Sequence, residues 1–156
     1  MKAELINPFV KASVDVISMM TQLQLQKGAP YMVEEIKLEN DIGIVIGLTG
    51  EVRGQVVIRM KMDNALNIVS KMMGGVEVTA LDSMGKSAIS ELGNMILGTS
   101  ANNLYSIGYT IDITPPSILS GDGIIYSTVD QSIIEIPFEA EDISVRLAIS
   151  LVEDKE

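Results

Sequence analysis

Ser87, Glu91 and Asn94 are the residues whose types and spacing could do chemistry together. At about 100° per helical residue, with Ser87 at zero, Glu91 falls near +40° and Asn94 near −20°. An acid and a carboxamide then stand one turn apart on one strip. The carboxylate can pair with a cation, and the carboxamide can donate and accept hydrogen bonds without carrying charge. Gly98, near +20°, and Ala101, near −40°, continue the strip with almost no side chain, while Ala88, Ile89, Leu92, Met95 and Ile96 gather on the other side. Such a polar strip is ordinarily the solvated face of an amphipathic helix. Two glycines argue for more, because each costs a helix about 1 kcal/mol against alanine. A merely solvated face has no use for that cost, whereas a surface that admits another backbone does. Gly93, near 240°, fits close packing inside the protein instead.

Composition removes most other chemistry. The 156 residues include no histidine and no cysteine, which excludes Ser-His-Asp and Cys-His nucleophilic sites, disulfides, zinc ribbons and the commonest transition-metal ligand. No glycine-rich phosphate loop occurs, since Gly74-Gly75 lacks the Gly-Lys-Ser/Thr continuation. Eleven Lys and Arg against 21 Asp and Glu leave a net charge of −10, a poor partner for nucleic acid or an anionic membrane. The stretch from Leu92 to Ile111 is uncharged, but its asparagines and glycines make it too polar to span a membrane. Glu4 and Asp15 interrupt any signal-peptide core, so the expectation is a soluble, cytoplasmic protein.

The elements that must position the strip can be read from periodicity. Asn7-Pro8 suggests the start of a first helix carrying Phe9, Ala12, Val16, Met19, Met20 and Leu23, with Gly28 as its stop. Residues 36–39 suggest a strand. Residues 42–48 and 55–62 suggest a hairpin about Gly50–Gly54, with Ile58, Met60 and Met62 facing one way and Val57, Arg59 and Lys61 the other. Asp63 can cap a short helix bearing Leu66, Val69 and Met73. A long second helix runs from about Leu81 toward Tyr105. A strand at 109–113, a Pro115-Pro116-Ser117 break, a Gly121-Asp122-Gly123 loop and strands at 133–138 and 143–151 follow. Laying the first helix on the second pairs Ala12, Asp15 and Ser18 with Ala88, Glu91 and Asn94. The expected fold is α/β of the α+β type in a single domain spanning 1–156. Two pseudo-repeated helix-plus-antiparallel-hairpin halves, approximately 1–75 and 76–156, pack as one layered domain with long helices against a sheet.

Ser87-x3-Glu91-x2-Asn94 with Pro116 downstream resembles the signature of the CheC/CheX/FliY phosphatases of bacterial chemotaxis. Length, layout and the single intact motif look most like the CheX type. Pro115 is an alternative to Pro116 for the downstream proline. Two-site members repeat Glu-x2-Asn on the first helix, where this chain offers Asp15 and Ser18, so one site per chain is expected.

The resemblance implies hydrolysis of the aspartyl phosphate of a CheY-like response regulator. It implies that Asn94 orients the attacking water and that Glu91 pairs with the regulator's lysine. Ser87, Gly98 and Pro116 would border the partner. The regulator would bring its own Mg²⁺, so no cofactor or metal is expected on this chain. A homodimer is expected, because unprotected strand edges invite pairing with an identical chain. Two alternatives stand beside this reading. One is an adaptor or motor-switch module that binds regulators without turnover. The other is a paired-carboxylate hydrolase, for which only Asp82 and Asp112 lie near Glu91 in sequence.

Overall fold

The structure, a computed structural model, describes residues 2–129 and 132–154. Helical periodicity builds α1 (Ala3–Thr21), which buries Phe9, Ala12, Val16 and Ile17. Its start at Asn7-Pro8 is corrected: the helix begins at Ala3 and contains Pro8. Leu5 and Ile6 are buried, and their removal from water outweighs the one backbone bond the proline cannot make. The stop at Gly28 is corrected too. Gln22, at φ 62°, ends the helix and donates its N–H to the Ser18 carbonyl. Gly28 serves a close approach of strands instead, because a Cβ there would sit 2.8 Å from Pro137 Cγ.

After α1 come β1 (Gln26–Lys27), β2 (Tyr31–Val33), β3 (Glu35–Leu38), β4 (Asp41–Gly50) and β5 (Val52–Lys61). The expected hairpin is β4–β5, with its turn narrowed to Glu51 and Leu48 opposite Gly54. Met62 opens α2 (Met62–Met72) rather than ending the strand, and its N–H donates to the Asn40 carbonyl. Of the expected face of α2 Val69 is buried, joined by Ala65 and Ile68, while Leu66 and Met73 are only half-buried. Lys61 takes the N-cap position; the Asp63 carboxylate accepts the neighbouring Asn64 N–H at 2.9 Å instead of capping the helix.

The chain continues through α3 (Ser83–Ser106), β6 (Ile111–Ile113), β7 (Ser117–Gly121), β8 (Ile124–Ser127), β9 (Ile133–Ala140) and β10 (Ile143–Glu153). The stretch read as a break and a loop thus holds β7 and β8, which pair with β4 and β3. β7 (SILSG) is a weak strand former by composition and β8 (IIYS) a good one, but at five and four residues both are too short to stand without the strands they pair with.

The large sheet runs β1-β9-β10-β5-β4-β6, with β2 also on β9 and β7 also on β4. Each edge is therefore made of two short strands. The helices cover one face, packing on Ile42, Ile44, Ile46, Val56, Ile58 and Met60. Alternation sends Val45, Val57 and Ala148 to the other face, where the small β3–β8 sheet covers them with Ile36 and Leu38. On that second face Arg59 makes two bonds to Glu135, at 2.7 and 3.0 Å, and one to Asp41 at 3.3 Å. Burial is the largest influence on the Arg59 charge and works against it, but the Glu135 bonds and the Glu135 and Asp41 charges together outweigh it and its pKa is raised. No helix among the described residues is long and apolar enough to cross a membrane.

Candidate functional site

Asp82 sets the phase of α3. Its Oδ1 accepts the Gly85 N–H at 2.8 Å, a side-chain cap that satisfies one free donor of the first turn. From there Ile89, Leu92, Ile96, Leu97 and Leu104 fall on the core side, all fully buried. Gly93 lets the helix seat on β4: a Cβ would meet Ile44 Cγ2 at 2.8 Å and Ile46 Cδ1 at 3.3 Å. Close packing therefore explains this glycine.

With the apolar face turned inward, the strip must face outward. Ser87 and Glu91 are exposed, and Asn94 is half-buried. No hydrogen bond or ion pair with another described residue occupies these three side chains. A Cβ at Gly98 would meet nothing within 4 Å, so nothing inside the protein requires that glycine. The structure brings Ser87, Glu91, Asn94 and Gly98 to one helix face and leaves the acid and the amide unoccupied.

Pro116 is placed differently. It is half-buried between β6 and β7, the two short strands that line β4 beneath α3. The double proline cannot donate to the ladder and interrupts the edge there. Thr114 closes the gap: its N–H donates to the Gly47 carbonyl, and its Oγ1 accepts the Gly47 N–H at 2.8 Å.

The first-helix counterparts are already engaged. Asp15 pairs with Lys11 at 2.8 Å, and Ser18 Oγ accepts the Leu25 N–H at 3.2 Å. Asp82, one acid that could have formed a carboxylate pair with Glu91, is committed to its cap, and Asp112 sits on β6 opposite Thr49. Among the described residues no group of three or more acids could hold a metal ion. The cavity lined by Asp41, Arg59, Lys61 and Arg146 lies on the sheet face away from α3.

One residue was missed by reading the strip only to Ala101. Tyr105 lies 18 residues beyond Ser87, about five full turns, and so returns to the same angle. It is 71% exposed. The 100° step was the signal that could have found it.

Helices on one face of this sheet, with a free acid–amide strip on the longest, define a domain of the CheC-like class. A crystal structure of a CheC-like superfamily protein from Shewanella sp. PV-4 matches 97% of this chain and 99% of its own, at TM-score 0.87 and 26% identity. The CheY-P phosphatase CheX of Thermotoga maritima is 33% identical over 152 residues, 96% of this chain and 97% of that protein. The CheX–CheY–BeF3–Mg²⁺ complex from Borrelia burgdorferi matches at TM-score 0.81 and 28% identity, over 95% of this chain and 97% of that one. The family model for chemotaxis phosphatase CheX matches residues 42–139. This chain belongs to the CheX family of chemotaxis phosphatases.

Proposed function

We propose that this chain hydrolyses the aspartyl phosphate of a phosphorylated CheY-like response regulator. Asn94 orients the attacking water and Glu91 pairs with a lysine of the regulator. The observation that carries this reading is the unoccupied acid–amide pair on the outer face of α3, one turn apart and free of hydrogen-bond or ion-pair partners among the described residues. The relative named a CheY-P phosphatase and the neighbour solved as a CheX–CheY–BeF3–Mg²⁺ complex support it.

Phosphoryl transfer to water passes through a loose transition state, so positioning and charge placement supply most of the catalysis. The side chains here suit that division of labour. The Asn94 carboxamide holds a water by accepting a hydrogen bond from it and brings no negative charge to repel the phosphoryl oxygens. The Glu91 carboxylate fixes docking register through a charge-assisted bond. The phosphorylated aspartate, the lysine and a Mg²⁺ held by carboxylates belong to the regulator, and the divalent ion offsets charge on the phosphoryl group there. Ser87, Gly98 and Pro116 border the partner. The working protein is a cytoplasmic homodimer joined at sheet edges, each chain a single domain of two related halves.

Phosphate release from a phosphorylated regulator with Mg²⁺ is the test. Asn94→Ala should slow release by roughly 10²-fold or more, the scale of losing one positioning hydrogen-bonding group in the transition state. A well-folded Asn94→Ala protein with most of its activity would overturn the mechanism. An acyl-phosphate lifetime unchanged by the wild-type chain would make it a binding module instead.

A further inference from the structure

The longest uncharged stretch of this acidic chain, Leu92 to Ile111, covers most of the helix that carries the proposed site. From Ser87 to Tyr105 the only charge is Glu91. A solvated helix face ordinarily carries charges, and this chain has 32 to distribute. Their absence has a physical use if the partner is itself acidic. A regulator that presents a phosphoryl group among carboxylates is repelled by a surface of net charge −10, and a neutral window is where the two can meet.

The far end of that window is Tyr105. It is the most exposed of the large apolar helix residues among those described, at 71%, ahead of Met84 and Met19. Single exposed apolar side chains are ordinary. Tyr105 is distinguished by its place, on the strip angle of Ser87, Glu91 and Asn94. Gly98 leaves open space between it and the acid–amide pair. From Ser87 to Tyr105 the helix rises about 27 Å. A standard interface of about 800 Å² per partner is of the order of 30 Å across. The strip therefore spans one such interface, with chemistry in its first half and a bare run leading to a tyrosine in its second.

We infer that Tyr105, with the uncharged strip from Gly98 leading to it, is a docking anchor that sets affinity for the acidic response regulator. This rests on the function proposed above and names the residue that function leaves out. Tyrosine suits the task, because it buries a large rigid area at little conformational cost and keeps a polar tip.

The test measures binding of a CheY-like regulator loaded with beryllofluoride and Mg²⁺, alongside KM and kcat for phosphate release. Tyr105→Ala should weaken binding by about 30-fold, the size of a hot-spot truncation, with the kinetic loss falling on KM. Tyr105→Phe, which keeps the ring, should restore most of it. Asn102→Asp places a carboxylate beside the strip and should weaken binding at low salt, with recovery as salt screens the repulsion. Ile125→Ala removes an equally apolar exposed side chain on β8 and should change nothing. If the wild type binds and turns over the regulator while Tyr105→Ala matches it, the anchor is refuted and the function stands. If the wild type neither binds nor hydrolyses the regulator, both fall. A Tyr105→Ala chain that loses its own self-association would show that a second copy covers this face, and would also overturn the inference.

Discussion

Replacing Gly98 by alanine should make this protein more stable and less active, and the structure sets the size of the stability gain. Inside a helix glycine costs about 1 kcal/mol against alanine. A Cβ at Gly98 meets nothing within 4 Å, so neither a clash nor new packing alters that figure. A gain of about 1 kcal/mol raises the melting temperature of a domain this size by roughly 2–4 °C. Gly93 is the internal control, on the same helix and with the same propensity gain. There the added carbon lies 2.8 Å from Ile44 Cγ2 and 3.3 Å from Ile46 Cδ1, below the contact optimum of about 3.5–4.0 Å. Both isoleucines are fully buried on β4. Overpacking of this kind costs about 1–3 kcal/mol, which cancels or exceeds the gain. Gly93→Ala should therefore melt no higher than wild type, and down to several degrees below it. On the outer face the new methyl holds off an approaching backbone, so Gly98→Ala should lose about tenfold in kcat/KM for regulator dephosphorylation. Thermal melts followed by circular dichroism and a phosphate-release assay read the two effects separately. A Gly98→Ala protein that melts higher and keeps full activity would refute the close approach. One that melts lower would show that the face is not free.

Asp15→Ala and Ser18→Ala should each leave dephosphorylation within about threefold of wild type, about 0.65 kcal/mol in barrier. Ser18→Ala should also cost stability, about 1 kcal/mol, because the Leu25 N–H loses its acceptor. A large activity loss at either position in a folded protein would place a second site on α1. Sedimentation at micromolar concentration should give the mass of a dimer, and a monomer there would remove the edge-paired assembly.

Much of the site was legible in the order of the residues, because a helix converts spacing into direction. Once residues 83–106 are helical, the position of Glu91 beside Asn94, and of Ile89 and Leu92 opposite them, follows from 3.6 residues per turn. The same step separated Gly93 from Gly98, and packing bears that out. The β4–β5 hairpin was legible for a similar reason, since its partners are neighbours in sequence. Composition alone set aside histidine and cysteine chemistry.

Tertiary structure decided what local pattern could not hold. Pro8 lies within α1 because Leu5 and Ile6 find a core made by distant residues. β7 and β8, five and four residues long, exist through their partners β4 and β3, more than sixty positions away along the chain. Ser18 and Asn94 occupy equivalent places under the helix alignment, but the Leu25 N–H bonds to one and no described residue hydrogen-bonds to the side chain of the other. Sequence sets which way a helical side chain points, because that depends on a fixed angle per residue. Whether the side chain meets another part of the chain or stays free for a partner depends on contacts between segments far apart in sequence, and only the folded chain brings those together.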